Sequence, residues 1–173
     1  MAIREILTYP DERLREKAMS VQDPSSDGVR LLIDDMVETM YAAPGVGLAA
    51  TQIGIHRRVA ITDLAPKGEP RDLKIWINPE ILHADGDAAF EEGCLSVPDI
   101  YESIDRAAFI TVKWQDMEGN QHTADFEGFP AVALQHEFDH LDGVLFIDKL
   151  PLIKRRLIKN RLRKLKKKRL RDD

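Results

Sequence analysis

A single cysteine in 173 residues excludes an intrachain disulfide, and with it every disulfide-stapled scaffold. A reducing compartment suits such a chain. Long apolar runs are missing too. No stretch approaches ~18 apolar residues, so no membrane-crossing helix is expected. The first residues, MAIREILTYPDERLREK, have no apolar segment of the signal-peptide kind and carry acids from Glu5 onward. Neither a secretory signal nor a transit peptide is expected, and a cytoplasmic location follows. Aromatic residues are few, at 6%, but hydrophobic residues as a whole reach 43%. That is enough for one ordinary domain with a core of its own, under a surface made rich by 32% charged residues.

Basic residues are scarce in most of the chain. The first 153 residues hold 13 Lys and Arg against 28 Asp and Glu, a balance of -15. Residues 154–173 hold 12 Lys and Arg against 2 Asp, a balance of +10, and together they give the formal -5. An acidic body therefore carries a basic C-terminal arm, a pattern that points to a polyanionic partner for the arm.

Hydrophobic periodicity sets the remaining elements. Residues 3–9 read as an extended segment and 11–18 as one or two helical turns. Residues 27–43 read as an amphipathic helix, with Val29, Leu32, Ile33, Met36, Val37 and Met40 on one face. Ser26 or Asp27 caps its start. A loop of small residues, Gly45-Val46-Gly47-Leu48-Ala49-Ala50, follows it. Residues 57–62 and 73–78 read as strands, and 108–114 with 121–126 as a hairpin. Residues 130–142 read as a second helix, opened by Pro130 and closed by Gly143. Residues 151–169 read as a third. In that third helix Leu150, Ile153, Leu157, Ile158, Leu162 and Leu165 are expected to pack as one stripe. Strands and helices are segregated along the chain, which fits an α+β fold better than a doubly wound sheet.

The most informative segment is Gln135-His136-Glu137-Phe138-Asp139-His140. Its H-E-x-x-H spacing puts His136 and His140 on one helix face, where both can ligate one metal ion. Glu137 between them can reach a metal-bound water as general base. A catalytic site of this kind usually has a third protein ligand. A His ten residues after His136 is one known solution, but Phe146 stands there. A downstream Glu is another, but none follows Glu137. His56, His83 and His122 read as surface residues. Cys94, in the polar turn sequence Glu91-Glu92-Gly93-Cys94-Leu95-Ser96, is the candidate that completes a Cys, His, His set.

Three segments together carry a family resemblance. They are Gly45-Val46-Gly47-Leu48-Ala49-Ala50-Thr51-Gln52-Ile53-Gly54, then Glu92-Gly93-Cys94-Leu95-Ser96, then Gln135-His136-Glu137-Phe138-Asp139-His140. In that order they resemble the G-x-G-L-A-A-x-Q-x-G, E-G-C-L-S and Q-H-E-x-D-H motifs of bacterial peptide deformylases. The likeness covers roughly residues 3–150. It implies hydrolysis of the N-formyl group from the formyl-methionine of nascent polypeptides, with formate released.

The same resemblance implies that Cys94, His136 and His140 hold the metal and that Glu137 moves the proton. Gln52 and the backbone N–H of Leu95 would stabilise the oxyanion. Val46, Gly47 and Gly93 would pair with an extended substrate backbone. Phe129, Val132 and Ala133 would line the methionine pocket. Glu92 and Asp139 would support the ligands from behind. Tyr101 departs from a family member that carries Arg at that place, so no polar role transfers to it. Fe(II) is the implied native ion, with Zn, Ni or Co as substitutes that the ligand set accepts. The implied architecture is small antiparallel or mixed sheets packed around the central H-E-x-x-H helix. Residues 1–150 would form the catalytic domain, and the basic helix 151–173 would belong to it and dock on the ribosome. Two other functions compete: a general metallopeptidase, which lacks its downstream third ligand, and an RNA-associated module with a structural metal, which rests on the basic arm alone.

Overall fold

The computed structural model describes residues 2–172. Helix α1 spans Asp27–Ala42, and Ser26 caps it by accepting from Val29 N at 3.3 Å. Its buried residues include Val29, Leu32, Ile33, Met36 and Met40, the face that the periodicity marks. Strand β1, Gly47–Ala49, leads into a 3-10 turn at Ala50–Ile53 and then into β2, Val59–Asp63. Strand β2 is buried along its whole length, because it is covered on both faces. Val59 and Ile61 pack with α1, whereas Ala60 packs on the other side with Trp76 and helix α2, Phe129–Leu141.

A five-stranded antiparallel sheet therefore lies between the two helices. Its order is β1-β2-β3-β6-β7, with β3 at Leu73–Asp85, β6 at Phe109–Gln115 and β7 at Gln121–Glu127. Strands β4, Ala88–Cys94, and β5, Val97–Arg106, form a separate two-stranded sheet. A third cluster lies beside Cys94. It joins Tyr9, Val97, Ile100, Ile104, Phe146 and Leu162, the last from helix α3, Leu152–Asp172. The architecture is α+β, with α2 at its centre.

Several expected elements differ. Strand β3 runs well past residue 78, because Asn78 and Pro79 bulge the strand without ending it. Asn78 has φ 50°, and the register with β6 shifts between Ile77 and Glu80. The Asn78 side chain holds the bulge, donating to Val21 O at 2.9 Å and Gln115 Oε1 at 2.7 Å. The β4–β5 hairpin escaped the periodicity reading because two of its inward positions are Glu92 and Arg106, which pair with each other. Residues 3–8 form no ladder, and only Glu12–Arg15 makes a helical turn nearby.

The single apolar stripe expected on the last helix is also wrong. Ile153 is 77% exposed and Leu157 66%, whereas Leu162 is buried and Ile158 half-buried. Ile153 and Leu162 are nine residues apart, which at ~100° per residue puts them on opposite faces. Part of the basic charge pairs with acids of the body. Lys154 pairs with Glu102 at 2.6 Å and Lys159 with Asp148 at 2.8 Å. Among the described residues, no helix is long and apolar enough to cross a membrane.

Candidate active site

Helix α2 starts at Gly128, φ 66°, with Pro130 in its first turn, and Gly143 at φ 76° follows its end. These signals fix the helix so that His136 and His140 project from one face. Their Nε2 atoms lie 3.2 Å apart. Cys94 ends β4, and its Sγ lies 3.3 Å from His140 Nε2. The three donor atoms are all within 4.8 Å of one another.

This donor set fits a metal ion. His136 Nδ1 lies 2.9 Å from Glu92 Oε1 and donates its proton there, so His136 Nε2 carries a lone pair. That lone pair faces the Nε2 of His140 and the sulfur. Three electron-rich atoms in such contact repel unless a proton or a cation sits among them. With ligand bonds of about 2.0–2.1 Å to nitrogen and about 2.3 Å to sulfur, tetrahedral edges would be ~3.3–3.6 Å, close to the spacings seen. Without the cation a proton takes its place. Burial opposes charge on His136, but the hydrogen bonds of Cys94 and Glu92 and the charge of Glu137 raise its pKa well above the ordinary value. Burial and the neighbouring His136 charge push His140 well below it. Of this site, Glu137 Oε2 and His140 Nδ1 are buried without a protein partner.

A buried ion-pair network supports this donor set. Arg106 donates to Glu92 at 2.6 and 2.9 Å and to Asp139 at 2.8 Å. Burial resists ionisation of Glu92, yet its bonds with His136 and Arg106 hold the carboxyl below its usual range. The expected supporting roles of Glu92 and Asp139 thus have a shared centre, Arg106, which no sequence signal singled out. Phe146, which stands where a third His would in another metal-site pattern, stacks on the His136 ring at 6.0 Å.

Glu137 is buried one residue on from His136. Burial pushes its pKa up to about 7, while the His136 and Arg106 charges pull the other way. Gly47 makes room for it: a Cβ there would sit 2.5 Å from Glu137 Oε1. Gln52 is fixed at both ends of its amide. Its Oε1 accepts from Ala49 N at 2.9 Å, and its Nε2 donates to Ser96 Oγ at 3.0 Å, with Cys94 Sγ 3.6 Å away.

These groups open on a cleft of about 470 Å³. Its wall includes Val46, Gly47, Gln52, Gly93, Cys94, Leu95, Phe129, Val132, Ala133, His136 and Glu137, so eleven of the twelve expected residues meet in one place. The twelfth, His140, is fully buried and does not line the cleft. The cleft separates the outer edges of β1 and β4, with α2 as its floor. Tyr101 and Phe90 add aromatic groups at the rim: Tyr101 lines the cleft, and the Phe90 ring lies 5.9 Å from that of Phe129. His83 and His122 are exposed. His56 is half-buried and lies 2.9 Å from Arg13 O and 3.1 Å from Glu16 Oε2. None of the three approaches the site.

An H-E-x-x-H helix, a thiol from a neighbouring hairpin that could join its two histidines on a metal ion, and an adjoining cleft are the arrangement of a metal-dependent hydrolase. The polypeptide deformylase family model matches residues 3–156. A peptide deformylase from Alkalilimnicola ehrlichii is 51% identical over 165 residues, 95% of this chain and 92% of that protein. A peptide deformylase structure from Legionella pneumophila superposes with a TM-score of 0.88 at 44% identity, covering 98% of this chain and 99% of that one. A class I type b peptide deformylase from Acinetobacter baumannii, bound to Met-Ala-Ser, gives 0.82 at 34%, covering 86% and 99%. The chain belongs to the polypeptide deformylase family. It is a metal-dependent hydrolase that removes the N-formyl group from nascent peptides.

Proposed function

We propose that Cys94, His136 and His140 hold one divalent ion, Fe(II) natively, and that Glu137 is the proton carrier of the reaction. The observation that carries this reading is the convergence of Sγ and two Nε2 atoms, all within 4.8 Å of one another, beside a buried carboxylate. An ion bound there supplies a Lewis acid and makes water acidic enough to serve as nucleophile. Glu137 takes a proton from the attacking water and delivers it to the leaving amine. Water and the formamide become formate and a free N-terminal amine. Gln52 Nε2 and the Leu95 N–H donate to the oxygen that gains charge as the formyl carbon is attacked. Gln52 suits this role because its amide is already oriented, so little reorganisation is needed.

The substrate backbone adds as a strand between the edges of β1 and β4, along Val46, Gly47 and Gly93. Backbone pairing reads any sequence, and specificity for methionine comes from the apolar wall at Phe129, Val132 and Ala133. Removing the ion tests the reading. Treatment with a chelator should abolish hydrolysis of formyl-Met-Ala-Ser, and Fe(II) added without oxygen should restore it. Zn, Ni or Co should restore it in part. Full activity in metal-free protein would contradict the site assignment.

The basic helix supports a second element of the reading. Outward residues Arg161, Lys164, Lys168 and Arg171 suit ribosomal RNA, which would place the enzyme in the cytoplasm where its substrates emerge. Binding should weaken steeply as salt rises, because counterion release drives it. Removing residues 163–173 should weaken ribosome sedimentation while Leu162 stays in the core. Unchanged sedimentation would mean that this face is only solvated.

A further inference from the structure

Tyr101 is 66% exposed, although it is aromatic and lines the cleft. Its ring closes the space above Gly93. A Cβ added to Gly93 would lie 2.5 Å from Tyr101 Cε1 and 2.7 Å from Cδ1. Gly93 is therefore required by the ring, and the two residues form one surface. The pleat fixes which way that surface faces. Glu92 turns inward to His136 and Arg106, so its neighbours Glu91 and Gly93 turn outward. Tyr101, on the adjacent strand β5, shares their outward face.

A peptide added along the free edge of β4 takes the same alternation. Its methionine side chain enters the inward pocket at Phe129, Val132 and Ala133. The next side chain must then turn outward, toward the Tyr101 ring. Charge around the ring is of one sign. Glu91 and Asp99 line the same rim, and among the described residues no Lys or Arg lines the cleft.

We propose that Tyr101 is a specificity-determining residue, whose ring stacks on the side chain of the residue that follows formyl-methionine. This inference rests on the strand-addition reading above. The face of an aromatic ring attracts a planar guanidinium more than a small aliphatic group, and it also accepts another aromatic ring. The acidic rim adds attraction for a cation and repels a carboxylate. Arginine is therefore the preferred second residue, phenylalanine is next, alanine is neutral and glutamate is disfavoured. The contact lies away from the reacting bond and is equal in ground and transition states. It should act on KM and leave kcat nearly constant across the series.

The test compares the iron-loaded enzyme on formyl-Met-Xaa-Ser, with Arg, Phe, Ala or Glu as Xaa. The wild type should favour Arg over Ala in kcat/KM by about 3- to 5-fold, carried by KM. Tyr101→Ala should bring the Arg/Ala and Phe/Ala ratios close to one, and Tyr101→Phe should keep both. Glu91→Gln combined with Asp99→Asn should lower the Arg/Ala ratio and spare the Phe/Ala ratio. Equal kcat/KM for the Arg, Phe and Ala peptides in the wild type would overturn the proposal, whatever the variants do. So would ratios that survive Tyr101→Ala. Hydrolysis of none of the four peptides would instead overturn the deformylase reading beneath it.

Discussion

Helices α2 and α3 solve opposite problems. Helix α2 is 13 residues long and has eight buried, among them both histidines and Glu137. Helix α3 is 21 residues long and has one buried residue, Leu162. The first is buried by packing, and His136 and Asp139 are tied to Glu92 and Arg106, whereas Glu137 Oε2 and His140 Nδ1 have no protein partner. The second is held by Leu162, by half-buried Ile158 and by a few ion pairs, and most of its residues are exposed. Chemistry that needs donor atoms fixed to tenths of an ångström sits on the first. A surface that needs only charge sits on the second. The general lesson is that the precision of a site follows the burial of the element that carries it.

The contrast predicts very unequal responses to mutation. The largest should come from Arg106, behind the α2 ligands. Arg106→Ala leaves buried Glu92 with His136 alone and Asp139 with Lys149 alone, and a buried pair broken in this way costs about 3–5 kcal/mol. Metal affinity should also fall, by about 10- to 100-fold, because Glu92 no longer holds His136 at a fixed angle. Chemical denaturation and metal titration check the two effects separately. A variant with normal affinity would remove Arg106 from the support of the site.

Within α3 the two apolar faces should separate cleanly. Leu162→Ala should destabilise the fold by about 2–4 kcal/mol, since it opens space in the cluster with Phe146 and Tyr9. Ile153→Ser should change stability by less than about 0.5 kcal/mol, since its side chain is already in water. Equal costs at the two positions would contradict the two-faced description of this helix.

A smaller effect links the helices through Asp148, which follows α2 and receives Arg15 and Lys159. Burial alone would raise its pKa, but those bonds and the Leu145 N–H lower it from 3.8 to about 2. A carboxyl depressed in the folded state stabilises above its unfolded pKa and loses that effect as pH falls through its folded value. The contribution is therefore full above about pH 4 and gone below about pH 2, and amounts to about 1 kcal/mol once solvent screening of this half-exposed group is allowed for. The stability gap between wild type and Asp148→Asn should close over that window. A gap constant from pH 6 to pH 2 would show that charge is not the cause.

The same contrast explains what was legible in the sequence. The α2 site could be read because its spacing is local: His136, Glu137 and His140 fall within one helical turn and a half, and turn signals mark both ends. Helix α1 was readable for the same reason. Cys94 is legible through its motif and through the lack of another third donor downstream. Arg106 was not reachable, because its role depends on β5 lying beside α2, a contact between distant segments. The β4–β5 hairpin was obscured by the same pair of buried charges, since period-two reading counts apolar residues. On α3, Leu, Ile and basic residues alternate closely enough to suggest one stripe. Only the helical phase, with Ile153 opposite Leu162, separates the buried face from the exposed one.

The central claim is that Glu137 moves the proton while three other residues hold the ion. Its most direct test is Glu137→Gln, with metal content and turnover of formyl-Met-Ala-Ser measured on the same sample. The substitution keeps the shape and removes the acid–base group. Metal content should stay at one ion per chain, and kcat should fall by about 10²- to 10⁴-fold. Normal kcat with the ion in place would contradict the account, and so would loss of the ion.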